Sequence, residues 1–149
     1  MRVSPLLHKG VVHIPTSCRV GAGGFFYENN PVESVPVEQT ERLRQAIMIT
    51  IDRGNPPISR AEVNAFSNSK NPPMLVATGT RSWDALDRQI TGSWSITDRT
   101  GVYQIRVDQP MEPGGWHEDK TKRVQFPPGT PVEEVITRLI AMIQERAAH

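Results

Sequence analysis

The sequence predicts one α/β domain of the α+β kind, spanning residues 1–149: a central, mostly antiparallel sheet with packed helices, the last of them amphipathic. Three observations carry this. Val132, Val135, Ile136, Leu139, Ile140 and Ile143 recur at helical spacing on one face near the C-terminus. Apolar and polar residues alternate from Ser93 to Val107 across a central turn, the pattern of a hairpin with one buried face. At 149 residues, 37% of them hydrophobic and 22% charged, the chain has the size and composition of one folded domain.

The elements follow in order. Val11, Val12 and Ile14 suggest a short strand or ordered arm over Gly10–Ile14, followed by Pro15 and by Gly21, Gly23 and Gly24. Phe25-Phe26-Tyr27 reads as a strand stopping at Asn29, Asn30 and Pro31, and a short extended piece, Val32–Val37, comes next. From about Glu38 the period becomes helical through Leu43, Ala46, Ile47 and Ile51, with Gly54 and Pro56 as terminators. Ser59-Arg60-Ala61-Glu62 has the capping-box form and opens a short helix to about Phe66. Ser67–Pro73 reads as an exposed polar connection. Ser82 caps a short helix carrying Trp83 and Leu86, which Gly92 ends. The hairpin pairs Ser93–Thr97 with Val102–Val107 through Asp98-Arg99-Thr100-Gly101, and Trp83, Trp94 and Tyr103 are expected in the core because they sit in periodic elements. Met111–Lys120 reads as a loop, a short strand follows around Arg123–Phe126, and Thr130-Pro131-Val132-Glu133 supplies an N-cap, a first-turn proline and a capping-box glutamate for the last helix.

The charge balance narrows the partners. With 17 Lys and Arg against 16 Asp and Glu, the net charge of +1 gives no general footprint for nucleic acid or for an anionic membrane. Charge-driven recognition is therefore local. A lone cysteine, Cys18, makes no internal disulfide, and MRVSPLLHKG lacks the apolar run of a secretory signal, so a cytoplasmic location is expected. The apolar stretch Ala46–Ile51 is far shorter than the roughly 20 residues that cross a bilayer.

Candidate chemistry is sparse. Gly21-Ala22-Gly23-Gly24 runs into Phe25 instead of opening a helix, so a turn explains it better than a phosphate loop. His8, His13 and Cys18 stand five residues apart, a spacing that suits neither a helix face nor the close pairs of zinc sites. Trp116-His117-Glu118-Asp119 concentrates potential ligands, yet consecutive loop residues need not converge on a metal. The enzymatic alternative is a small phosphodiesterase with His13 and His117 as base and acid and Lys9 or Lys120 beside the developing charge. No catalytic residue, cofactor or metal is assigned.

The C-terminal half resembles the immunity proteins of bacterial contact-dependent growth inhibition systems. The resemblance lies in Ala77-Thr78-Gly79-Thr80-Arg81-Ser82-Trp83, in the Trp94-Ser95-Ile96 strand and in Val102-Tyr103-Gln104-Ile105. It continues through Gly114-Gly115-Trp116, Lys122-Arg123-Val124-Gln125-Phe126-Pro127 and Glu133-Glu134-Val135. Upstream, Pro31-Val32-Glu33-Ser34-Val35-Pro36 and the following helix also resemble the family, whereas Leu86 and Ile90 depart from it where aromatic and glycine residues are expected. The resemblance implies a cytoplasmic, non-enzymatic inhibitor that binds the C-terminal toxin domain of a cell-surface effector, often a nuclease. It carries no contact residues with it. On chemical grounds the toxin-binding candidates are Glu112, Trp116, His117, Glu118 and Asp119, a loop whose aromatic anchor and acids suit a basic surface. An adaptor or an antitoxin of another type, and a structural subunit, remain as alternatives.

Overall fold

In the computed structural model, which describes residues 1–67, 71–112 and 114–149, extended chain begins at once. Strands β1 (Arg2–Val3) and β2 (Leu6–His8) precede β3 (Val11–Val20) and β4 (Phe25–Pro36). The arm expected over Gly10–Ile14 is thus the start of a ten-residue strand, and the two pieces around Asn29–Pro31 are one strand of twelve residues. Pro15 falls where the β3–β4 register shifts, between Ile14 and Thr16. Pro31 lies on β4, at the edge of the sheet, where a missing N–H breaks no ladder. Gly21 and Gly24, at φ 59° and 74°, form the turn between the two strands.

Helix α1 (Thr40–Arg53) ends at Gly54, as its period requires, and β5 (Pro57–Ile58) follows. The capping box forms at α2 (Arg60–Ser67): the Glu62 amide donates to the Ser59 hydroxyl at 3.1 Å and the Ser59 amide to the Glu62 carboxylate at 3.2 Å. Of the connection Ser67–Pro73, residues 68–70 lie outside the described residues. Its far end is not exposed: Pro72 and Pro73 are buried, and Pro73 opens helix α3 (Pro73–Thr78). Ser82 caps α4 (Trp83–Gln89) by accepting from the Ala85 amide.

Strands β6 (Ile90–Arg99) and β7 (Val102–Pro110) form the expected hairpin. Thr100 and Gly101 at its tip have φ of 55° and 78°, the left-handed pair that matches strand twist in a two-residue loop. Gly92 does not end a helix; it is buried within β6, where a Cβ would run into the Trp94 indole lying across it. After β8 (Trp116–Glu118), a 3-10 turn at Lys120–Lys122 and β9 (Val124–Gln125), the chain closes with α5 (Val132–Ala147). The Thr130 hydroxyl donates to the Pro127 carbonyl and caps no helix amide, so the expected capping box at α5 does not form.

Among the described residues the strands join one nine-stranded sheet of order β4-β3-β2-β6-β7-β8, with β1 on β6, β9 on β7 and β5 parallel to β3. Adjacent residues Leu7 and Leu6 point to opposite faces and divide the core. Leu7 joins Val12, Ile14, Trp94, Ile96 and Ile105 under Leu43 and Ile47 of α1 and the buried stripe of α5. Leu6 joins Met74, Leu75 and Leu86 beneath α3 and α4 on the reverse face, so Leu86, a departure from the family pattern, serves packing. A third cluster, Cys18, Val20 and Ile58, is closed by Tyr27 stacked on Phe66 at 5.7 Å. Trp94 and Tyr103 meet the expectation of core packing, Tyr103 only partly buried. Trp83 does not: it is 48% exposed, because the short α4 buries only Leu86.

Candidate functional site

The segment expected to be a loop over Met111–Lys120 is folded back as an edge strand. Strand β8 pairs antiparallel with the end of β7, setting Pro110 opposite Trp116, Gln109 opposite His117 and Asp108 opposite Glu118. The Met111 amide donates to the Gly115 carbonyl at 2.9 Å and closes the turn, within which residue 113 lies outside the described residues. Alternation along β8 then sends Trp116 and Glu118 to one side and His117 to the other.

The five candidate residues therefore do not share one face. Glu112 is exposed in the turn. His117 is exposed and its Nε2 lies 3.1 Å from the Gln109 amide nitrogen. Glu118 receives both Nε and an Nη of Arg123, at 2.6 and 2.8 Å. This hydrogen bonding holds its carboxyl below the usual carboxylate range. Asp119 accepts from the Thr121 hydroxyl and amide at 2.6 and 3.1 Å and lies 3.7 Å from Lys122, so its carboxyl is held low as well. Both acids are engaged by their own neighbours. Trp116, half-buried, keeps its place.

Beside Trp116 a groove of about 630 Å³ opens between the β7–β8 edge and the C-terminal half of α5. Trp94, Val107 and Met142 contribute apolar lining, and Lys122, Arg138 and Arg146 contribute positive charge. Arg146 also donates from Nε to the Thr91 carbonyl at 2.9 Å, tying the end of α5 to β6. Arg138, Met142 and Arg146 stand four residues apart and so share one helix face. That spacing is readable in the sequence, but only the folded β8 edge makes it a wall of a groove.

Of the other candidate sets, His8 and His13 lie side by side with ring centroids 6.0 Å apart, and Cys18 lies away from them. His13 and Cys18 lie on one extended strand, about 17 Å apart by strand rise. His8 Nε2 is bound to the Gln89 side chain at 3.0 Å and His13 Nδ1 to the Ser34 hydroxyl at 2.8 Å. Among the described residues no three His, Cys, Asp or Glu side chains gather as a metal-binding group. His13 on β3 and His117 on β8 are four strand spacings apart, about 19 Å, too far to share one scissile bond.

Two titrating groups, His13 buried and Glu28 partly buried, carry opposing shifts. Burial, and then the neighbouring His8, lowers the pKa of His13 from 6.5 to about 4. Burial raises Glu28, directly opposite Ser17 on β4, from 4.5 to about 7, with Arg2 opposing the shift and Asp108 adding to it. A lowered histidine contributes stability above its unfolded pKa that is lost as pH falls from about 6.5 towards 4. A raised carboxyl contributes stability below 4.5 that is lost as pH rises through about 7. Between pH 4.5 and 6.5 the two slopes are expected to cancel in the parent protein. Urea unfolding of Glu28→Gln should then lose about 1–2 kcal/mol on acidification across that range, and His13→Gln should gain a similar amount. Identical pH profiles for parent and variants would refute this coupling.

The stretch Gly79-Thr80-Arg81-Ser82-Trp83 forms a knuckle between α3 and α4. Gly79 closes α3 in the left-handed conformation at φ 68°, Ser82 caps α4, and Arg81 and Trp83 are exposed. No protein-family model matches the chain, and no curated protein sequence matches it. Its fold is similar to that of a protein of unknown function from Neisseria meningitidis, with 13% sequence identity and a TM-score of 0.66 over 97% of this chain and 93% of that one. At that identity the likeness concerns the fold. Among the described residues, no helix is long and apolar enough to cross a membrane.

Proposed function

We propose that this chain is an immunity protein that binds the toxin domain of a contact-dependent growth inhibition effector and neutralises it by closing its active site. The observation that carries the reading is the groove itself: a half-buried tryptophan on an edge strand beside an open, partly apolar channel, the form of a protein-docking site. The exposed knuckle at Arg81 and Trp83, built from the motif on which the family resemblance rests, adds a second accessible surface. Inhibition by occlusion requires binding alone. The two-histidine phosphodiesterase draws no support from a separation of about 19 Å between His13 and His117.

If the neighbouring reading frame encodes a large exported protein, the test is to express its C-terminal domain with and without this chain and to measure survival and association. A complex of nanomolar affinity is worth about 12 kcal/mol, so Trp116→Ala, costing about 2–4 kcal/mol, should weaken binding and make protection depend on expression level. If the parent chain neither binds the domain nor protects cells, the immunity reading falls.

A further inference from the structure

We propose that helices α3 and α4 form a flap that acid releases from the sheet, with His8 and His13 beneath it as the trigger. Alternation along the strands places the pair. Leu6 and His8 share one face of β2, and His13 stands opposite Leu6 on β3. That is the face on which Leu6 packs under Met74, Leu75 and Leu86. Both histidines are only 4% exposed, and their ring centroids are 6.0 Å apart. Lys9 and Gly10, at φ 49° and 77°, close β2 onto β3 in a two-residue turn, which fixes the register and holds the rings together. His8 Nε2 donates to the Gln89 side-chain carbonyl at the end of α4, at 3.0 Å, and His13 Nδ1 meets the Ser34 hydroxyl of β4 at 2.8 Å.

The flap is lightly held. Leu86 is the buried residue of α4, and α3 adds Pro73, Met74 and Leu75. Among the described residues no salt bridge ties either helix to the sheet. A proton on either imidazole sets a cation beside the other ring in a buried space without a counter-charge. Helix α3 has no charged residue, and β6 sets Ile90 opposite His8. Strand β4 offers Ser34, whereas its Glu33 lies opposite Ile14 on the other face, against Arg53. Lys9, Asp84 and Arg88 are exposed. Asp87, half-buried on α4, has its carboxyl raised by burial and by Asp84 instead of lowered by a neighbouring cation. The lowered pKa of His13, about 4, agrees with these surroundings, since burial and then His8 lower it. Opening the flap lets water reach both rings. It also uncovers Leu6, Met74, Leu75 and Leu86 next to Trp83, so that an apolar surface becomes available in acid.

The experiment follows amide hydrogen exchange of the full chain at pH 6.5 and 4.5, corrected for the intrinsic effect of pH. The flap is reported by the amides of Thr80 and Leu86, bonded to the Leu75 and Ser82 carbonyls at 3.1 and 3.0 Å, and the reference is α5. With His13 at 6.5 when open and about 4 when closed, flap opening should increase roughly 40-fold on acidification. Protection in α5 should change far less, because Glu28, opposite Ser17 and outside the flap cluster, offsets His13 in global unfolding. His13→Gln removes the titrating ring and should abolish the increase; where that variant does not fold, His13→Asn takes its place. Flap protection in the parent that is equal at the two pH values overturns the proposal. An equal acid loss in the folded His13 variant also overturns it, since another group would then be the trigger. A parallel loss in α5 does so as well, because acid would then act on the whole fold.

Discussion

Leu139→Asp is expected to unfold the protein, or to lower its stability by at least about 4 kcal/mol. Leu139 is fully buried, at 0% exposure, in the middle of the α5 stripe, enclosed by the apolar cluster that joins α1, α5 and the sheet. Truncating the side chain alone removes burial and leaves a cavity, and a carboxylate there must either ionise without a partner or take up a proton. A domain of this size is stabilised by only about 5–15 kcal/mol in all, so the loss is a large part of the total. Leu139→Met, which conserves volume, should cost less than about 1.5 kcal/mol. Urea unfolding of the three proteins measures the difference. An Asp variant with the parent's midpoint would mean that α5 does not pack through this face.

The same stripe explains why α5 was legible in the sequence. Its buried residues, Val135, Ile136, Leu139, Ile140 and Ile143, are local and periodic, and one helix face suffices to expose the pattern. The β6–β7 hairpin was legible for the same reason, with its turn at a Thr-Gly pair that tolerates positive φ. Strands β1 and β2 were not, because segments of two and three residues carry no period and exist only through pairing with β6 and β3. Strand β4 was split by Asn30 and Pro31, residues that break central strands but are tolerated at an edge, and edge position is a property of the topology.

The candidate site was legible in part. Trp116 was found because a large aromatic in a glycine-bearing segment stands out. The acids were found without their internal partners, Thr121 and Arg123, which lie just downstream. Asp119 followed by Thr121 is the local side-chain to backbone pattern of a turn, and that signal pointed to an internal cap. Arg138 and Arg146 carry no such signal, because they line the groove only once β8 folds opposite α5.

Asn55→Ala is expected to cost about 2–4 kcal/mol, a large effect for a polar residue that no periodicity singles out. Asn55 follows the glycine that ends α1, and its side chain fills the gap between β1 and β3, two strands that do not pair with each other. The Arg2 amide donates to Asn55 Oδ1 at 3.0 Å, and Asn55 Nδ2 donates to the Arg2 and Ser17 carbonyls, both at 2.8 Å. One amide group thus substitutes for a missing stretch of ladder, and alanine would leave one backbone donor and two acceptors without it. Asn55→Asp distinguishes hydrogen bonding from simple packing. It keeps the shape and the acceptor for the Arg2 amide, but it sets a carboxylate oxygen against two carbonyls. It should therefore be at least as damaging as alanine at neutral pH. Hydrogen exchange locates the effect, because amides of β1 should lose protection before those of β6 and β7 if the plug is what docks the first strand. Unchanged stability in both variants, with β1 still protected, would show that β1 is held by its pairing with β6 alone.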